Sequence, residues 1–286
     1  MRTSGRATSR NVQTRGGSGG MVAGGGMGLV VVLVIAFLTG DPTILINSML
    51  GGQGQASSLS KERVAELTEF VSVVMADTET VWNEIFSTYG EDYKEPQLII
   101  YSGSVQSACG NATSDVGPFY CSEDESVYID LIFFDELELR FKAPGDFAMA
   151  YVIAHEVGHH VQNQLGILQE VHTLQSKVSQ TEANELSVRL ELQADYLAGV
   201  WAHYVQGYGY LEAGDVEEAL AAASAIGDDR LQQQGQGYVN PDTFTHGTSA
   251  QRSKWFNLGL THGDLEHGDT FEAKTLFTPV VIIFRA

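Results

Sequence analysis

The chain has 286 residues, 43% of them hydrophobic, and carries 36 acidic against 16 basic side chains for a net charge of −20. A body this acidic repels phosphate backbones and anionic headgroups, which excludes nucleic acid and anionic membrane surfaces as partners. Its only two cysteines, without a CxxC pattern, exclude a thiolate metal site.

Arg2, Arg6, Arg10 and Arg15 are the only charges among the first forty residues, and residues 16–40 are uncharged and strongly apolar from Gly28 to Leu38. At about 1.5 Å per residue, such a run spans about 30 Å of hydrocarbon. The positive flank holds the N-terminus in the cytoplasm and sends the rest of the chain across the membrane. The sequence therefore predicts a single-pass membrane protein, with residues 1–40 as a basic N-terminus and transmembrane signal-anchor and the body periplasmic or extracellular. A cleaved signal peptide is the alternative, although no small-x-small site comes promptly after the run. Residues 41–60, rich in Gly, Gln and Ser towards their end, read as a flexible tether to a single domain over residues 61–286.

Residues 60–89 read as a long helix with Val64, Leu67, Val71, Val74, Val81 and Ile85 on its apolar side and Gly90 as its stop. Residues 97–101 and 127–134 read as strands by their β-branched and aromatic content. Between them, Cys109 and Cys121 flank a loop containing Gly110, Asn111, Gly117 and Pro118. In an exported protein this pair forms a disulfide worth about 2–3 kcal/mol; in a reducing compartment it would be two free thiols.

The next helix carries the most informative residues. Asp146 caps it after Pro144 and Gly145, and Gly166 sits where a left-handed C-terminal cap falls. Within it the run His155-Glu156-Val-Gly-His159-His160 puts His155 and His159 four residues apart, on one face, with Glu156 about 100° further round. This is the arrangement of a zinc hydrolase, in which two imidazoles hold the metal and the Glu takes a proton from its water. The bland alternative is a pair of core histidines satisfied by backbone carbonyls. His160 points elsewhere and is not counted as a ligand. Gly158 lowers helix propensity by about 1 kcal/mol, which implies that another segment packs closely there.

A third ligand is required. A further His at position 165 is absent, because Leu165 stands there, and His172 comes after Gly166 in an expected loop. A second long helix, opened by the capping box Ser179-x-x-Glu182 and closed near Gly207, supplies better candidates. Its Glu191 and Asp195 are again i, i+4 among Leu190, Leu192, Ala194, Leu197 and Ala198. Two carboxylates on a buried face opposite two buried imidazoles satisfy each other around one divalent cation; a solvated surface pair beside Arg189 is the alternative. Helices over about residues 215–226 and 249–260 complete the pattern, and no internal repeat is visible.

Several of these segments together resemble the bacterial neutral zinc metallopeptidase family: Tyr151-Val-Ile-Ala-His155 to His160, Glu191-Leu-Gln-Ala-Asp195, Gly117-Pro-Phe-Tyr-Cys121 and Thr245-His246-Gly-Thr-Ser-Ala-Gln-Arg252. The resemblance covers roughly residues 90–270. It implies an α+β, zincin-like fold, mostly helical with a small β-sheet beside the metal helix. It further implies one zinc ion on His155, His159 and Glu191, with Glu156 as base and Asp195 orienting a ligand imidazole. The chain departs from the family's tendency where Tyr196 and Gly268 stand in place of two cysteines, which puts one crosslink in doubt and leaves the metal site untouched. The tail over residues 275–284 extends past the usual end.

His246, in a Gly/Thr/Ser turn before the last helix, is suited to donate to the oxyanion of a peptidase, though a loop-packing or capping role fits the same turn. These readings converge on a membrane-anchored zinc peptidase acting on a peptide or protein. The rival is a non-catalytic exported metal-binding module of the cell envelope. The intact Glu156 favours the enzyme, because a scaffold needs no carboxylate aimed at the metal's water.

Overall fold

The computed structural model describes residues 1–15, 59–139, 141–273 and 276. Strands β1 (Val12–Thr14), β2 (Gln97–Tyr101), β6 (Ser126–Asp130) and β5 (Phe119–Cys121) pair in that order into a mixed sheet, with β5 antiparallel at one edge. β3 (Ser104–Ser107) and β4 (Gly110–Thr113) form a separate hairpin. The helices are α1 (Lys61–Thr88), α2 (Ile132–Leu139), α3 (Asp146–Gln164), α4 (Ile167–Gln175), α5 (Gln180–Gly207), α6 (Asp215–Ala225), α7 (Asp228–Gln236) and α8 (Ser249–His262). The fold is α+β, predominantly helical.

The two central strands are apolar on both faces because both faces are covered. Leu98, Ile100, Val127 and Ile129 join the main helical core, while Ile99, Tyr101 and Tyr128 pack with Val105 and Ala112 of the hairpin and with Cys121. Cys109 and Cys121 are bonded across this smaller cluster, with Cα atoms 5.8 Å apart.

The strand expected over residues 127–134 ends at Asp130 instead. The Asp130 carboxylate accepts from the Ile132 N–H at 3.1 Å and the Gly103 N–H at 2.9 Å, which turns the chain and starts α2. His172 lies in α4, not in a loop. The start of α3 also differs from expectation: Gly145 is its N-cap and Asp146 its first helical residue. Glu218 of α6 accepts the Phe147 N–H at 3.0 Å, and a side chain on Gly145 would collide with that carboxylate. A neighbouring helix therefore does the capping that the sequence pattern assigns to Asp146.

Glycines set how closely the helices approach. α3 crosses α5 at Gly158, where a Cβ would meet the Ala194 carbonyl at 3.0 Å. α5 crosses α8 at Gly199 and Gly259, whose added Cβ atoms would strike the backbone of Phe256 and Tyr196. Gly259→Ala is expected to destabilise the protein by about 1–3 kcal/mol, because only backbone movement can make room. A fall in denaturant midpoint at unchanged slope checks it. At the two positions where the resemblance leads one to expect cysteines, the Tyr196 ring covers Gly268, and its hydroxyl donates to Asp264 at 3.0 Å. Adjacent positions that a crosslink would join are here filled by one aromatic ring.

The N-terminus departs most from expectation. Among the described residues no helix is long and apolar enough to cross a membrane, which overturns the single-pass placement with a cytoplasmic N-terminus. The run over residues 16–40 from which the anchor was read, and most of the tether, lie outside the described residues, as does most of the tail. The first fifteen residues belong to the domain itself. β1 pairs in parallel with β2, Met1 is buried in the core, and its amine lies 2.5 Å from Asp146 and 3.2 Å from Asp215. Arg6 pairs with Asp77 and stacks 3.7 Å over the Tyr210 ring. Two of the arginines read as a topogenic flank are thus accounted for otherwise: Arg6 by these contacts, Arg2 by facing Glu212 at 3.8 Å. An N-terminus paired into the sheet lies on the same side as the body.

Candidate metal centre

The site forms where α3 and α5 cross. Each helix brings two ligand-type side chains spaced i, i+4, and the close approach at Gly158 lets the two faces meet. One ligand atom from each of His155, His159 and Glu191 lies within 4.8 Å of the others.

The hydrogen bonds around the imidazoles set their tautomers. His155 Nδ1 lies 2.9 Å from Asp195 Oδ1, so it carries the proton and donates. His159 Nδ1 lies 2.8 Å from Gln162 Oε1. The Gln162 amide is oriented by its own donations to the Leu190 carbonyl and to Gln193, which leaves its oxygen for His159. Both Nε2 lone pairs therefore face the Glu191 carboxylate, at 3.2 Å and 3.5 Å. Acceptor facing acceptor is repulsive unless a cation lies between. Without a metal, a proton must serve. Burial opposes a charge on His155, but Asp195 and Glu191 outweigh it and carry its pKa up to about 9. Burial would likewise raise Glu191, yet His159, His246 and His155 hold it well below the usual carboxylate range. Two imidazole nitrogens whose rings are fixed through Nδ1, together with a carboxylate, form a donor set suited to zinc.

Asp195 is wholly buried and accepts from three side chains. Besides His155, the Tyr151 hydroxyl donates to it at 2.5 Å, and Arg252 of α8 donates Nε at 2.8 Å and Nη2 at 3.0 Å. Burial alone would raise Asp195, but the charges of Arg252 and His155 lower it. Arg252 is itself 1% exposed. Its part was not recognised in the sequence, where only His246 of its segment received a role. Tyr151 was within reach, because it precedes His155 by four residues on the same helical face.

Glu156 is 8% exposed, lines the cavity, and makes no hydrogen bond or ion pair with a described residue. Burial raises its pKa against the pull of His159 and His155. The neighbouring His160 is fully engaged elsewhere. It faces the Lys94 carbonyl through Nε2 at 2.6 Å and the Tyr120 hydroxyl through Nδ1 at 3.0 Å, tying α3 to β5.

His246 also lines the cavity, its side chain about half exposed. Asp228, first residue of α7, lies 3.3 Å from His246 Nδ1 and accepts the backbone N–H groups of Thr245, His246 and Gly247 at 2.7, 2.6 and 3.0 Å. The loop and ring are therefore held by one carboxylate. Burial opposes a charge on His246, but Glu191 and Asp228 raise its pKa. No sequence signal pointed to Asp228.

Two other groups among the described residues have ligand-like spacing. His262 and His267 stack in parallel at 3.9 Å, so their in-plane lone pairs run side by side instead of converging. Asp146 and Asp215, which group with Glu218, already face the Met1 amine. The α3–α5 group lines a cavity of about 420 Å³.

Fold and site together define an α+β protein whose two crossing helices present a His/His/Glu group that could hold a metal ion, with the Glu156 carboxylate, unbonded to any described residue, on the same cavity. Residues 2–271 match the family described as "Putative neutral zinc metallopeptidase", and the chain belongs to that family. It is 48% identical over 283 residues to the uncharacterized protein YpfJ of Escherichia coli (strain K12), covering 95% of this chain and 99% of YpfJ. It is 44% identical over 223 residues to the uncharacterized protein Mb2605 of Mycobacterium bovis, covering 74% of each. No solved structure matches the chain.

Proposed function

We propose that the protein is a zinc-dependent peptidase, with one zinc ion on His155, His159 and Glu191. The observation that carries this reading is Glu156: a buried carboxylate without a partner among the described residues, open to the cavity beside three donors within 4.8 Å of one another. A purely structural cage has no use for it. Zinc held there would acidify a water near neutral pH and polarise the scissile carbonyl.

The remaining chemistry belongs to the chain. Glu156 takes the proton from the attacking water and returns it to the departing amine, a task its raised pKa suits. Asp195, fixed by Arg252 and Tyr151, holds the His155 ring so that Nε2 faces the cage. His246, turned by Asp228, donates to the oxygen on which charge develops. The substrate lies extended along β5, whose outer edge has no partner strand among the described residues and whose Phe119 and Tyr120 line the cavity.

The test is zinc content and cleavage of an unbiased peptide library by the full chain. One zinc per chain, with cleavage abolished by chelation and restored by added zinc, is the expected result. A zinc-loaded protein that cleaves nothing sinks the reading. His246→Ala is expected to lower turnover by about 10²-fold with zinc retained; unchanged turnover would remove His246 from the mechanism.

A further inference from the structure

Helix α7 reads Asp-Asp-Arg-Leu-Gln-Gln-Gln-Gly-Gln, and Leu231 is its single apolar side chain. A helix this polar has no core face of its own, so the placement of that leucine requires a reason. Leu231 lies three residues after Asp228 and therefore shares its face. Asp228 uses that face to hold His246, and Leu231 lines the same cavity. It is half-buried, yet belongs to none of the apolar clusters of the fold. Val116, also on the cavity wall, is likewise outside those clusters and 37% exposed. Ile226 and Phe133 extend the wall and are anchored on the core behind it.

Apart from Glu156, which the proposed reaction assigns to the attacking water, the charged groups of the cavity are already committed. Glu191 faces the two ligand imidazoles, Arg252 is paired with Asp195, and His246 is held by Asp228. A charged substrate side chain would find no free counter-charge other than Glu156 and would lose its hydration on entering. An apolar one would cover Leu231 and Val116 and displace water from them.

We infer that the cavity selects a large apolar side chain next to the bond to be cut, and that Leu231 is the residue that sets this preference. The inference rests on the peptidase reading and adds a substrate class to it. Because Leu231 supports no apolar cluster, its replacement leaves the fold and the zinc cage intact.

The experiment measures kcat/KM for the zinc-loaded full chain on peptides varied at the residues flanking the cleaved bond. Wild type is expected to favour Leu, Ile, Met or Phe at one flanking position over Asp, Glu or Lys. Leu231→Lys is expected to lower kcat/KM on those apolar peptides about 10- to 100-fold and to improve acidic ones, with zinc content and Tm unchanged. Leu231→Ala, which enlarges the subsite without adding charge, is expected to shift preference towards Phe and Trp. Cleavage by wild type without side-chain preference, or an unchanged profile in both variants, overturns the inference while leaving the peptidase reading in place. Absence of any cleavage by zinc-loaded wild type overturns both.

Discussion

Glu156→Gln is expected to retain one zinc per chain and to lose about 10²- to 10⁴-fold in turnover. The amide has the size of the carboxylate and fits the same space, so the cage of His155, His159 and Glu191 is undisturbed. It cannot accept a proton, so the attacking water is no longer activated and the amine leaves without assistance. Metal analysis and peptide cleavage on the same preparation separate the two effects. Loss of zinc would make Glu156 a ligand, and full activity would exclude hydrolysis by this route. The free position of Glu156, without a hydrogen bond to any described residue, argues that neither will be seen.

Arg252→Ala is expected to cost about 3–5 kcal/mol of stability, the range found when one partner of a buried ion pair is removed. Arg252 and Asp195 are 1% and 0% exposed, and the guanidinium supplies two of the bonds that Asp195 accepts. Truncation leaves the carboxylate with Tyr151 and His155 alone. Equilibrium denaturation of the metal-free protein measures this cost without a contribution from the cage. Arg252→Lys is not expected to rescue it, because an ammonium cannot reproduce the two-pronged contact. A loss below about 1 kcal/mol would show that Asp195 is satisfied by other means.

Legibility varied between segments for physical reasons. The long helices were readable because capping residues and apolar periodicity are local signals: Ser179 caps α5 as its capping box implies, and α1 follows its apolar positions. The strand ending at Asp130 was overrun because Leu131, Phe133 and Phe134 have strand-like composition, while the Asp130 turn depends on a contact with Gly103. α7 was missed because its residues show no apolar period, and it is held by bonds such as that of Asp228 to the His246 loop. The membrane expectation came from local hydropathy and charge alone. That reading assigned the leading arginines to the far side of a bilayer, whereas Arg6 pairs with Asp77 of α1.

By itself the sequence determined which side chains share a helical face. His155 lies with His159, and Glu191 with Asp195, because i, i+4 geometry is a property of one helix and needs no partner. It also placed Glu156 beside the first pair and the capping box at the start of α5. Only the tertiary structure decided that these faces meet, since their approach depends on the absence of a Cβ at Gly158 against Ala194. The same holds for Arg252, Asp228 and Leu231, which arrive at the cavity from two further helices, and for β1, which exists through its pairing with β2. Contacts between residues far apart in the chain are set by how its elements pack, and no window of sequence contains both partners.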